Sequence, residues 1–150
     1  GTGVSAGGLL LRAWAAGSIW KDHELATTGP YAHTRNPLYL GSFMLGAGVT
    51  VAGGQWVFGV AFLAFFVLVY RATVRREVAE LEVRFGERYR VYAAQVPAVL
   101  TRFSTYRGER SELPPEGFSR ARYMRNREWE ATLGVVAALG VLALKLRLWP

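Results

Sequence analysis

From Leu38 to Tyr70 the chain carries no charged side chain. As a helix this run is too long for one comfortable bilayer crossing of roughly 20 residues and short for two. Gly53-Gly54-Gln55 stands in its middle and has the composition of a reverse turn. The pattern predicts a tight helical hairpin over 38–52 and 56–70, its second arm rich in Phe, Val and Leu. That arm does not stop at the last apolar residue. Arg71 to Gln95 holds good helix formers and no proline, with Val74, Val78, Leu81 and Phe85 on one stripe at three- and four-residue spacing. Gly86 is a point of interruption, and Val96-Pro97 ends the helix, because proline cannot continue it and restricts its predecessor.

The flanks follow the same alternation. Residues 1–20 are apolar and rich in small residues, with Arg12 as their single charge. They read as a membrane helix or the end of one, with Gly1, Gly3 and Gly7 as packing positions. A dinucleotide fingerprint would need a preceding strand and another spacing. A polar link, 21–37, joins this helix to the hairpin. Beyond Pro97 an Arg-rich segment, 98–130, contains the loop "SELPPEG" and then "FSRARYMRNREWEA". The latter suits an interfacial amphipathic helix with Phe118, Tyr123, Met124 and Trp129 toward lipid. A further apolar segment, 131–149, predicts another span, with Lys145 and Arg147 snorkelling and Trp149 in an aromatic belt.

Composition narrows the class. The 150 residues suit one domain, 1–150, and 51% of them are hydrophobic against 19% charged. Without cysteine there is neither a disulfide framework nor a thiolate metal site, and two histidines without an HExxH spacing make no metal centre. The net charge of +7 comes almost wholly from arginine. Glu77, Glu80, Glu82 and Glu87 interrupt the basic stretch and lipid-length segments flank it, which argues against nucleic acid. The positive-inside bias instead puts 71–130 in the cytoplasm. The expected fold is all-α: an integral membrane helical bundle with a transmembrane hairpin and a cytosolic helical extension. Its Arg, Ala, Gly and Val richness points to a GC-rich bacterial source and an inner-membrane location.

The stretch "TTGPYAHTRNPLYLGSF" gathers chemistry at the mouth of the hairpin. Asn36 is a favoured N-cap and Pro37 a favoured first helical residue. The amides of Leu38, Tyr39 and Leu40 then face outward as an anion site, with Arg35 beside them. Tyr31 and Tyr39 add flat faces and hydroxyls. Either this cluster holds a small ligand with a carboxylate and an aromatic ring, or it is an interfacial loop with a snorkelling arginine. Arg12 has the same two readings, snorkelling or facing a cavity.

"KDHELATTGPYAHTRNPLYLGS", followed across the apolar hairpin by "REVAELEVRFGERYRVYAAQVP", resembles the isoprenylcysteine carboxyl methyltransferase family and its bacterial relatives. The resemblance covers 21–97, the motif-bearing core, and leaves 131–149 outside. It implies an integral-membrane methyltransferase without a Rossmann fold, using S-adenosylmethionine. Carried over by position, it implies cofactor contacts from His23, Glu24, Leu25, Ala26, Tyr31, Arg35, Asn36, Pro37, Leu38 and Tyr39, and from Glu77 on the cytosolic extension. Three positions depart from the family. Asn36 replaces a histidine, Val78 replaces the second acid of a Glu pair, and Thr73 stands where a substrate-contacting arginine is usual. Arg71, Arg75 and Arg76 are nearby, and Arg75 with Glu77 is taken as the catalytic pair. The implied acceptor is hydrophobic or lipid-linked: an isoprenylcysteine-like carboxylate, a phospholipid amine or a small thiol. A non-catalytic membrane scaffold binding lipid or a protein partner is the alternative from another class.

Overall fold

The computed structural model describes residues 1–19, 24–99, 101–108 and 118–148. These are all helix, turn and loop, with no strand among the described residues. His23, the loop 111–117 and Trp149 lie outside them.

Helix α1, Thr2–Ser18, packs antiparallel on α2, Pro37–Ala52. Small residues set the crossing. A Cβ on Gly8 would come within 2.7 Å of the Gly41 carbonyl, and one on Gly41 within 2.9 Å of the Gly8 carbonyl. One turn away the Ser5 hydroxyl donates to the Leu45 carbonyl at 3.2 Å. Backbones this close gain dispersion contacts that larger side chains would prevent.

The hairpin forms as its pattern predicts. Helix α2 ends at Ala52, Gly54 turns with φ 72°, and α3 runs Trp56–Phe85. An aromatic ladder holds the arms together: Tyr39 meets Tyr70 edge-on at 5.5 Å, and Phe43 packs on Phe62 and Phe66 at 5.9 and 5.2 Å. Helix α3 has 30 residues, about 45 Å at 1.5 Å each, well beyond the roughly 30 Å hydrocarbon core. Its apolar half, Trp56 to Tyr70, exposes Trp56, Phe58, Phe65 and Leu68, whereas its second half carries the charges. Among the described residues α3 is the one helix long and apolar enough to cross a membrane; 37–52 and 129–141 are apolar but shorter.

At Gly86, φ 52° breaks the helix at a backbone conformation that glycine adopts without steric cost. The chain folds back as α4, Glu87–Gln95, burying Tyr89, Tyr92 and Val96 against Val78, Leu81 and Phe85 of α3. The apolar stripe on the extension therefore serves this small core at the charged end of α3. After Val96 the chain crosses beneath the polar mouth as a strap. Arg35, Arg102 and Tyr106 donate their main-chain N–H to Pro97, His33 and Ala32 carbonyls at 2.9, 2.9 and 3.1 Å.

The segment expected as one interfacial helix divides in two. Helix α5 is only Arg120–Arg125, and α6 runs Trp129–Leu148. Arg127 between them has φ 55°, outside helical space. Helix α5 is held by unfinished hydrogen bonding at the end of α1, whose last carbonyls have no intrahelical donors. Arg122 Nε donates to Gly17 O at 2.7 Å, Asn126 Nδ2 to Ala16 O at 2.8 Å, and Ser119 N to Gly17 O at 3.0 Å. The arginine also places positive charge at the negative end of the helix dipole. Phe118, expected toward lipid, lays its ring over Gly17, where any Cβ would collide with it.

Candidate active site

The polar mouth is built before it meets the other elements. Gly29, at φ 59°, opens a 3-10 turn over Gly29–Ala32 that buries Pro30, Tyr31 and Ala32. The Tyr92 hydroxyl donates to the Tyr31 carbonyl at 2.7 Å, tying the turn to α4. Asn36 occupies the cap position of α2, but its side chain does not cap. Its Nδ2 donates to Ala98 O at 2.8 Å and to the Tyr70 hydroxyl at 3.3 Å, so the amide locks strap, turn and α3 together. Its main-chain carbonyl accepts from Leu40 N at 3.0 Å. That corrects the expected set of outward amides: Leu40 is used within the helix, and Leu38 and Tyr39 lie ahead of the first intrahelical bond.

A cavity of about 600 Å³, within the range of small-molecule sites, opens between the polar mouth and the helices around it. The mouth supplies Glu24, Leu25, Ala26, Tyr31, Arg35, Asn36, Pro37, Leu38 and Tyr39. Helix α3 supplies Thr73, Arg76, Glu77, Glu80, Leu81 and Arg84, the three- and four-residue spacing of one helix face. Helix α4 adds Tyr89 and Tyr92, and the opposite wall holds Arg12, Ser42 and Glu128. The Glu77 carboxylate lies close to the Tyr39 hydroxyl.

Two buried donors on this wall, the Tyr31 hydroxyl and Arg35 Nε, have no hydrogen-bond partner among the described residues. Leaving such a group unsatisfied costs about 1–3 kcal/mol, so both are suited to a polar ligand. Burial, and after it the charge of Glu77, pushes the Tyr31 hydroxyl well above the usual phenol range, so it is held as an O–H donor. Arg35 Nη1 donates to the Tyr89 hydroxyl at 3.4 Å, which fixes the guanidinium toward the cavity.

Ten of the twelve site residues expected from the chain thus share one cavity. His23 lies outside the described residues. Arg75 is exposed and absent from the wall, because it sits two positions from Glu77 and a helix turns about 100° per residue. Arg76 takes the wall position beside Glu77. Glu128 was missed by sequence reasoning. Its only signal is an acid in an arginine-rich run just ahead of an apolar segment, and its partner is 116 residues away.

Fold and cavity together define an all-helical protein with a mixed acidic, basic and aromatic site at the charged end of an apolar hairpin. The chain belongs to the phospholipid methyltransferase family, whose model matches residues 9–88, within the isoprenylcysteine methyltransferase-like group. It is 35% identical over 104 residues to the nickel-cobalt-cadmium resistance protein NccN of Alcaligenes xylosoxydans xylosoxydans, covering 68% of this chain and 48% of that one. It is 39% identical over 104 residues to the cobalt-zinc-cadmium resistance protein CzcN of Cupriavidus metallidurans, covering 65% and 46%. To the protein-S-isoprenylcysteine O-methyltransferase of Schizosaccharomyces pombe it is 33% identical over 78 residues, covering 52% and 33%. The chain therefore spans at most about half the length of these relatives. No solved structure matches it.

Proposed function

We propose that the protein is a membrane methyltransferase that binds S-adenosylmethionine in this cavity and methylates a hydrophobic or lipid-linked acceptor. The observation that carries the reading is the convergence of both halves of the family motif on one cavity with two unpartnered buried donors. Membership of a methyltransferase family supports it independently.

The residues suit the charges of that cofactor. Glu77 is placed to pair with an ammonium. Arg35 and the Leu38 and Tyr39 amides at the start of α2 suit a carboxylate. Tyr31 and Tyr39 offer ring faces to an adenine or a sulfonium, a contact of about 0.5–2 kcal/mol. When bound, the cofactor would supply an electrophilic methyl group to the acceptor's lone pair, with its own thioether as the leaving group. The protein's part is to hold the acceptor in line and to exclude water, and such positioning can lower a barrier by roughly 7–11 kcal/mol. A carboxylate or thiolate acceptor needs no base, whereas an amine would release its proton toward the Glu77 carboxylate.

In this reading α3 crosses the inner membrane, with α1, α2 and α6 packed in the same bilayer. The arginine-rich segment keeps the cavity on the cytoplasmic side, and the acceptor enters from between the helices. The test is equilibrium binding of radiolabelled S-adenosylmethionine to the detergent-purified protein. Wild type is expected to bind, and Tyr39→Ala/Glu77→Ala to bind at least ~tenfold more weakly, a loss of about 1.4 kcal/mol or more. Absence of binding by wild type, or equal binding by the double variant, defeats the proposal.

A further inference from the structure

Arg12 and Glu128 come from opposite ends of the chain and meet on the cavity wall. Arg12 Nε and Nη2 donate to the two Glu128 oxygens at 2.9 and 2.8 Å. Arg12 Nη1 donates to Leu38 O at 3.2 Å and to the Ser42 hydroxyl. The guanidinium is thus largely committed, and Glu128 is only 7% exposed. Its aim comes from the turn around it. Arg122 and Asn126 anchor α5 to the end of α1, and the left-handed backbone at Arg127 bends the chain so that Glu128 returns to Arg12. A positive φ at a residue other than glycine is uncommon and is held here by these anchors.

A forked arginine on a cavity wall, one turn from a helix start, is a natural seat for a carboxylate. Here the protein's own carboxylate occupies that seat. An anionic group brought to this wall would meet a buried acid in place of an open guanidinium, and like charges at close range repel strongly when shielded from water. Glu128 also lies beyond residues 9–88, so its effect belongs to this chain's C-terminal part.

We propose that Glu128 is a specificity determinant that neutralises Arg12 and sets this wall to receive a neutral or cationic acceptor group, a thiol or an amine, in preference to a carboxylate. The proposal rests on reading the cavity as the methyl-transfer site. It is tested with decanoate and its methyl ester as probes, titrated into the full chain in detergent by calorimetry. Wild type is expected to show no preference for decanoate over the ester. Glu128→Gln exposes the arginine and is expected to raise decanoate affinity at least ~tenfold with the ester unchanged. A wild type that already prefers decanoate by that margin, or a Glu128→Gln protein that binds no decanoate or gains both probes equally, overturns the proposal.

If Glu128→Gln is not recovered folded, Arg12→Gln/Glu128→Gln decides, because it removes both charges and leaves the wall neutral as before. Its decanoate-to-ester ratio is expected to stay within about threefold of wild type, whereas a fall of ~tenfold would mean that Arg12 already served an anion and would overturn the proposal. S-adenosylmethionine binding is measured on each protein. Its absence in wild type defeats the methyltransferase reading, and an unchanged probe ratio in Glu128→Gln with S-adenosylmethionine binding retained defeats only the role of Glu128.

Discussion

Tyr92→Phe removes one oxygen and tests how the core at the charged end of α3 holds the mouth of the cavity. The Tyr92 hydroxyl, on a residue only 2% exposed, donates to the Tyr31 carbonyl at 2.7 Å. The phenylalanine ring keeps the packing against Val96 and the edge-on contact with Tyr106 at 5.3 Å. What is lost is the donor to a buried carbonyl, which costs about 1–3 kcal/mol. For a chain of this size that lowers the unfolding midpoint by about 2–12 °C.

A second signature of the same variant appears in alkali. Burial, the largest influence, pushes the Tyr92 hydroxyl above the phenol range. In the unfolded chain tyrosine ionises near pH 10. Above that pH the unfolded state has released a proton that the folded state retains, so stability falls as pH rises toward the folded value. Each such tyrosine contributes a slope of about 1.4 kcal/mol per pH unit, and Tyr31, raised in the same direction, adds its own. The slope is half that value at pH 10 and nearly all of it at pH 11, so Tyr92→Phe should be less stable than wild type at pH 7.5 yet lose about 2–4 °C less between pH 10 and 11. Thermal unfolding in detergent, followed by circular dichroism at the three pH values, reads both effects. A variant matching wild type at pH 7.5 and falling as steeply in alkali refutes the assignment of this hydroxyl as a buried donor.

Two further substitutions probe the frame of the site. Gly41→Leu forces a side chain where a Cβ alone would lie 2.9 Å from the Gly8 carbonyl; a loss of about 1–3 kcal/mol is expected, read as a lower unfolding midpoint. Asn36→Ala removes one of two side-chain donors to the Ala98 carbonyl, the Thr34 hydroxyl remaining at 3.3 Å, and a loss of about 0.5–1.5 kcal/mol with faster proteolysis next to Pro97 is expected; unchanged proteolysis would show that the strap does not depend on this amide.

Much of the architecture could be read in advance because its signals are local. The hairpin followed from an uncharged run with two glycines in its middle: the first arm runs 37–52 against an expected 38–52, and the second begins at Trp56 as expected and continues past Tyr70 to Phe85. The interruption at Gly86 and the stop at Val96-Pro97 likewise depend on single residues with restricted or permissive backbones. The interfacial helix was misread because the pattern of 118–131 is amphipathic throughout. Only the demand for donors at the end of α1 explains why the chain bends at Arg127 instead. Asn36 was misread in a similar way. Asparagine before proline favours a cap, but the nearby Ala98 carbonyl and Tyr70 hydroxyl take its amide.

Thus the order of amino acids by itself determined the uncharged hairpin, the break at Gly86 and the stop at Val96-Pro97. These follow from periodicity, backbone restriction and charge placement, which act within a few residues. The three-dimensional arrangement decided which side chains share a wall. It directed Asn36 to the strap and set Glu128 on Arg12. Those outcomes depend on contacts between residues far apart in the chain, and no local pattern encodes the distance at which two helices or a returning turn will meet.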